Sequence, residues 1–356
     1  MVPFPDVCGF YISKNDDINA QNVNQDKEAE IDLNAVPSGL VLGRLEDSSK
    51  VERIGIQFED VYRNPELMDD FLAQMSNREL AMIVSGTTQN RTAGGDVGCN
   101  HPVPERGVPA AQTADGPCGL RQNNQYPIAF PVPMVLCATF NKDVYRMYGE
   151  SMGNECLHYE VDYLLGPSIN IFRSPTGGRN CSYFSEDPYL AGITASYYIN
   201  GVQSKGVAAV LKHYAANNTE YERLKSNSRV SERALREIYI KGFRIAIKES
   251  DPFAIMSSYN HINDIKVAEN YNLITEIPRE EWNWDGVFFT DWWNDSSHVA
   301  ELKAGHDLKM STGDVEGVTK ALDEGILSRE QVSICAKRII KMLMKLSRIK
   351  SQLETE

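Results

Sequence analysis

From Gly107 onward, short apolar or mixed runs alternate with long helical patterns, and this alternation restricts the fold more than any other feature of the chain. The candidate strands are Val108–Ala114, Met134–Ala138, Val161–Leu165, Val207–Leu211, Phe253–Met256 and Val287–Phe289. Helical patterns such as Asp143–Tyr159 and Glu232–Lys248 lie between them; in the second, Leu235, Ile238, Tyr239, Gly242 and Ile245 share a face. Strand–helix alternation over roughly 250 residues builds a parallel sheet with helical crossovers. No glycine-rich dinucleotide fingerprint accompanies it, so the pattern predicts an α/β fold of the TIM-like (β/α)8 type rather than a Rossmann sheet.

The alternating region has firm helical flanks. After Asn64, Pro65 opens a helix that carries Leu67, Met68, Phe71 and Leu72 on one side. Capping boxes, Ser76 to Glu79 and Ser328 to Gln331, start two more; the last carries Val332, Cys335, Ile339 and Met342. Residues 1–55 are polar and acidic, broken only by Gly9-Phe10-Tyr11-Ile12 and Gly39-Leu40-Val41-Leu42. Such a segment can carry a strand or two but no core of its own. The expected organisation is an extension over 1–55 and a barrel over 56–350.

Charge and cysteine usage exclude several classes of function. A net charge of −13 argues against nucleic acid or an anionic membrane as partner, and a neutral ligand is compatible with it. No apolar run reaches the ~18 residues of a membrane span. The start, Met1-Val2-Pro3-Phe4-Pro5-Asp6, lacks the basic and apolar regions of a secretion signal. Seven cysteines without CxxC pairs read as reduced thiols in a cytoplasmic protein. Neither they nor the six histidines have metal-ligand spacing, so no metal and no cofactor is expected.

Barrel chemistry gathers where strands end. The residues at those places are Asp115, Asn170 with Arg173, Lys212 with His213, Tyr259, and Asp291 with Trp292. Each has a structural reading as well. Asp115 can initiate the turn Asp115-Gly116-Pro117, Arg173 and Arg179 can pair with Glu186 and Asp187, and Tyr259 can be a core residue. Lys212 is harder to place structurally, because a lysine in a buried strand needs a carboxylate or a ligand. Together the residues describe a polar pocket with donors and acceptors for sugar hydroxyls and an aromatic wall. A carboxylate at the end of Val287-Phe288-Phe289-Thr290 completes it. No Gly-x-Ser-x-Gly elbow, P-loop, HExxH or EF-hand pattern competes with that reading.

Several ordered motifs carry a resemblance to a known family. They are Asp115-Gly116-Pro117, Asn170-Ile171-Phe172-Arg173, Gly178-Arg179-Asn180 running into Ser185-Glu186-Asp187-Pro188, Lys212-His213-Tyr214-Ala215-Ala216-Asn217-Asn218, Met256-Ser257-Ser258-Tyr259-Asn260 and Thr290-Asp291-Trp292. Between about Phe58 and about Leu346 the chain resembles glycoside hydrolase family three, most closely the subgroup with inverted domain order. The resemblance implies a retaining, exo-acting β-glycosidase of β-glucosidase type, with a TIM-like barrel as one domain. It implies that Asp291 is the nucleophile and that Asp115, Arg173, Lys212, His213 and Tyr259 hold hydroxyls of the sugar, with Trp292 as an aromatic wall. A neighbouring cation is expected to lower the pKa of Asp291. The implied substrate is a β-linked glucoside or related small saccharide, with glucose the first choice of sugar and xylose the second.

The departures concern the second carboxyl. Retaining hydrolysis needs an acid/base about 5 Å from the nucleophile. The family's glucosidases draw it from a separate α/β-sandwich domain, and these residues stop soon after the last barrel helix. The family's N-acetylglucosaminidases use a histidine on the loop after Lys-His, but here Thr219-Glu220-Tyr221-Glu222-Arg223-Leu224-Lys225 has none. Glu220 and Glu222 are the acids on that loop, and a structural glutamate is the commoner case there. The other departures are Cys181-Ser182 where the family often has Phe-Glu, Thr290 where serine is common, and His306 where a smaller residue is usual. The reading that follows is a nucleophile-bearing barrel completed by a sandwich domain or partner chain, or associated as a homo-oligomer. Gly9 to Asp17 resembles the last strands of a β-sandwich module. The alternative is a non-catalytic sugar-binding or scaffolding barrel.

Overall fold

The computed structural model describes residues 51–89, 97–122 and 125–355. Among them the strands are, in chain order, β1 (Gly86–Thr87), β2 (Cys99–Asn100), β3 (Thr113–Asp115), β4 (Tyr163–Leu165), β5 (Ala208–Tyr214), β6 (Asn227–Ser228), β7 (Ala254–Ser257), β8 (His261–Ile262), β9 (Ile265–Lys266) and β10 (Val287–Thr290). Five of these form a parallel sheet in the order β10-β7-β5-β4-β3. Short bridges join its two edges. Leu308 pairs with Phe289 of β10, Lys309 with Ser85 beside β1, β1 with β2, and Cys99 of β2 with Gln112 ahead of β3. The ring closes, so the chain forms the TIM-like barrel that the alternation predicts, and closure removes the exposed sheet edges.

The circuit has one reversed member. β2 runs antiparallel to β1, because the link from Thr87 to Cys99 is shorter than the dozen or so residues a parallel crossover needs. Along the other strands side chains alternate between two layers. The Tyr163 and Phe289 rings lie 5.3 Å apart although β5 and β7 separate their strands in the sheet, so this contact crosses the interior. Leu165, Val210 and Met256 belong to the same cluster, while Leu164, Leu211, Ile255 and Phe288 pack with helix residues such as Tyr198 and Phe243. Helices Lys142–His158 and Pro188–Gln203 pack so closely that a Cβ on Gly149 would lie 2.1 Å from the Tyr198 carbonyl oxygen. Only glycine permits that approach.

Both capping boxes form, with Ser76 and Glu79 exchanging bonds of 3.2 and 2.6 Å and Ser328 and Gln331 bonds of 3.4 Å each. Three expectations need correction. Met134–Ala138 is not a strand but the body and C-cap of the helix Pro133–Cys137, with Pro133, Leu136 and Cys137 buried and Met134 and Val135 exposed. Pro133 presets the helical φ at the first position, and the burial follows helical rather than alternating spacing. The expected helix over Glu232–Lys248 is interrupted by a π turn at Leu235–Tyr239. Its wider turn rotates the face, so Ile238 is exposed while Phe243, Ala246 and Ile247 are buried. The expected strand Val108–Ala114 shortens to β3, preceded by isolated bridges at Val108 and Gln112. Gly9 to Asp17, read as strands of a second module, lies outside the described residues. No helix among the described residues is long and apolar enough to cross a membrane.

Candidate active site

The expected strand-end residues Asp115, Lys212, His213 and Asp291 converge at one end of the barrel. Asp115 closes β3, and its Oδ1 accepts a 2.7 Å bond from Lys212 Nζ. The lysine side chain is 4% exposed, and Asp115 is the carboxylate it needed. Lys212 and His213 are adjacent in β5, where regular alternation would send them to opposite faces. The register against β7 shifts instead. Leu211 pairs with Ile255 and Tyr214 with Ser257, so β5 spends three residues where β7 spends two. That irregularity lets Lys212 reach Asp115 while His213 reaches Asp291. Asn170, on the loop after β4, holds the bulge: its Nδ2 donates to the His213 carbonyl at 2.9 Å, and its Oδ1 accepts from the His213 N–H at 3.0 Å.

Asp291 follows β10 directly. Oδ1 accepts a 2.8 Å bond from the Trp292 N–H, and Oδ2 lies 3.7 Å from His213 Nε2. The side chain is only 12% exposed. The Tyr259 hydroxyl donates to the Trp292 carbonyl and so braces the residue after the carboxylate. On the far side, Arg179 Nη2 stands 3.3 Å from His213 Nε2, and Nη1 is 3.4 Å from Glu220. Arg223 bonds the other oxygen of Glu220 at 2.9 Å and lies over the Tyr259 ring at 4.8 Å.

Electrostatics differentiate these groups. Burial opposes ionisation of Asp115, but the Lys212 ammonium, backed by Arg179 and Arg121, holds its pKa below the ordinary value. Burial, and then the positive charges of Arg179, Lys212 and Arg223, push His213 well below the usual imidazole range, leaving it neutral. Asp291 corrects an expectation. Its pKa is raised, not lowered, because burial outweighs Arg179, Lys212, Arg223 and the Trp292 N–H, which all pull it down. Tyr259 is raised by burial, by the charge of Asp291 and by a hydrogen bond to that carboxylate, which keeps its hydroxyl protonated.

Two expected residues are placed elsewhere. Arg173 is exposed and stacks over Tyr239 at 5.4 Å on the outer layer; the guanidinium from this loop that reaches the site is that of Arg179, six residues later. The intervening turn Ser174–Gly177, closed by a 3.0 Å backbone bond, redirects the loop between them. Trp292 is 5% exposed and donates its indole N–H to the Val97 carbonyl at 2.8 Å, so its ring is built into the core. Trp293, with a positive φ, is the one turned to solvent at 52%. The loop glutamates also resolve. Glu220 is held by Arg179, Arg223 and Asn217, and Glu222 is exposed. His306, the bulky departure, is a core histidine bonded to Ser257 Oγ at 2.9 Å.

A barrel whose strand ends assemble a buried carboxylate, a neutral imidazole and flanking cations has the form of an enzyme domain with its site at the strand ends. The family model "Glycosyl hydrolase family 3 N terminal domain" matches residues 75–342, so the chain belongs to glycosyl hydrolase family 3. It is 41% identical over 268 residues to beta-glucosidase A of Butyrivibrio fibrisolvens, covering 74% of this chain and 32% of that protein. An exo-alpha-(1->6)-L-arabinopyranosidase of Bifidobacterium longum is 39% identical over 267 residues, covering 71% and 35%. Among solved structures, beta-glucosidase 3B from Thermotoga neapolitana in complex with glucose superposes with a TM-score of 0.77. That match has 40% identity and covers 80% of this chain and 43% of that one. The chain thus spans about a third of the length of these curated relatives.

Proposed function

We propose that this chain is the nucleophile-bearing barrel of a retaining β-glycosidase, with Asp291 as the residue that forms the glycosyl ester. The observation that carries the reading is the state of Asp291: buried, with one oxygen occupied by a backbone N–H and the other facing a neutral imidazole at 3.7 Å. Oδ2 is therefore the attacking atom. Lys212 and Arg179 stabilise its ionised form, and burial raises its energy, which favours attack on a positively charged sugar carbon. Asp115, Lys212, His213 and Arg179 grip the hydroxyls of the sugar. Those bonds tighten as the ring flattens toward the oxocarbenium-like transition state.

The acid/base is assigned to a domain or chain beyond the described barrel, since Asp115 and Glu220 are both committed to cations. A β-linked glucoside is the proposed substrate, in keeping with the names of the Butyrivibrio fibrisolvens and Thermotoga neapolitana relatives. The cytoplasm is the proposed location, in keeping with the free thiols of Cys137, Cys156 and Cys335. An activated 2-deoxy-2-fluoro glucoside needs little acid assistance and tests the reading directly. The chain should acquire a covalent mass increment at Asp291, while natural disaccharides are cleaved poorly. If no activated sugar labels it although glucose still binds, the non-catalytic sugar-binding reading replaces this one.

A further inference from the structure

The turn that carries Asp291 rests on a second buried charge cluster outside the pocket. Lys309 lies on the closing segment of the barrel, bridged to Ser85, and is 6% exposed. An ammonium has three donors, and here all three have partners. Lys309 Nζ donates to Glu301 Oε1 at 2.7 Å, to the Ser296 carbonyl at 2.9 Å and to the Asn294 carbonyl at 3.3 Å. Glu301, 1% exposed, is also in hydrogen-bond contact with Ser296 Oγ, whose single proton is shared between that carboxylate and Asn294 Oδ1, 2.7 Å away. Asn294 Oδ1 accepts the Ser296 N–H at 3.0 Å, and the Asn294 N–H returns to the Asp291 carbonyl at 3.4 Å. Residues 291 to 296 are therefore bonded from Asp291 down to a buried ion pair.

Taking both charges out of water is costly, and an apolar pair of similar volume would serve general stability as well. What the pair supplies is direction. Two carbonyls of one turn point at a single ammonium whose position is set by the barrel wall. Resting on the reading of Asp291 as nucleophile, we infer that Lys309 and Glu301 are positioning residues that hold the 291–296 turn so that Asp291 Oδ2 faces the sugar carbon. Neither touches substrate. Losing either lets the turn relax and moves the attacking oxygen, and a displacement of about 1 Å costs on the order of 10²-fold in rate.

The experiment follows inactivation by the activated 2-deoxy-2-fluoro glucoside in the full chain, for wild type, Lys309→Met, Glu301→Gln and Ser296→Ala. Amide exchange of residues 291–297 is measured in parallel. Lys309→Met should slow the covalent step on the order of 10²-fold with little change in the inhibition constant, because the Asp115–Lys212–His213 grip is intact. Glu301→Gln should fall between, since its amide oxygen still accepts from Lys309. Exchange at Asn294 and Ser296 should quicken in both. Unchanged labelling by folded Lys309→Met, or a loss of sugar affinity in place of rate, overturns the inference. Should Lys309→Met fail to fold, Glu301→Gln and Ser296→Ala decide on the same two readings. A wild-type chain that never labels defeats the nucleophile reading instead, whereas the exchange data still report whether the pair holds the turn.

Discussion

Asp291 and Asp307 flank β10 and the segment beside it, and both are buried, yet they are used in opposite ways. Asp307 is 0% exposed and fully bonded: Oδ2 accepts from Arg279 Nη2 and from the Phe288 N–H, both at 2.7 Å, and Oδ1 from Arg338 Nη1 at 3.0 Å. It ties two helices to the barrel wall and has nothing left for a ligand. Asp291 is held differently: Oδ1 accepts from a backbone N–H, Oδ2 lies 3.7 Å from His213, no cation among the described residues bonds either oxygen, and the Tyr259 hydroxyl neighbours the carboxylate. Burial of a carboxylate therefore does not mark function here; burial without a bonded cation, at the strand end, does.

Substitutions at these two residues should separate activity from stability. Asp291→Asn should lower labelling by at least about 10³-fold, since the attacking group itself is lost. It should also raise the melting temperature at pH 7. The folded pKa of Asp291 lies above its ordinary 3.8, so folding works against ionisation at higher pH, and an uncharged amide removes that cost. The gain should fade as the pH drops below about 4, where the carboxyl is protonated in both folded and unfolded chains. A destabilised Asp291→Asn at pH 7 would break the comparison.

Asp307→Asn should do the reverse. It leaves Arg279 and Arg338 short of a buried counter-charge and should cost about 3–5 kcal/mol of folding stability. Labelling well below its melting temperature should persist, read as denaturation midpoint against inactivation rate. Lys212→Met lies between the two. It removes the charge-assisted bond to Asp115 and one gripping group, with an expected loss of roughly 10²-fold in labelling efficiency. The pair also gives a stability term with a definite sign. Asp115 is depressed, so its contribution is present above the ordinary 3.8 and is lost as pH falls through the lower folded value. Lys212→Met should flatten that acid limb of the stability curve. The smallest effect belongs to Arg173→Ala, expected within about 0.5 kcal/mol and twofold in labelling, while Arg179→Ala should weaken labelling clearly. Equal effects of the two arginines would return Arg173 to the site.

Much of the molecule was readable from local chemistry. The capping boxes at Ser76 and Ser328, the alternation that set the barrel, and the positions of Asp115, Lys212, His213 and Asp291 at strand ends all follow from neighbouring residues in the chain. Where the reading failed, two local solutions were close in energy. Pro133 allowed Met134–Ala138 to be strand or helix until helix spacing matched the surface it covers. Arg173 and Arg179 share a loop, and only the turn between them decides which enters the site. Trp292 and Trp293 are adjacent, and the positive φ at Trp293 sends one ring inward and the other out.

The sequence alone determined the barrel, through periodicity and caps, and the family resemblance, through ordered motifs that imply Asp291 as nucleophile, because all of these are properties of short stretches. Tertiary structure alone decided that Arg179 and not Arg173 faces His213, and that Asp291 is raised in pKa despite three nearby cations. It also decided that Lys309, Glu301, Asn294 and Ser296 form one bonded unit beneath the nucleophile. The physical reason is that solvent exclusion and charge separation depend on distances between residues far apart in the chain, and these exist only once the barrel has closed.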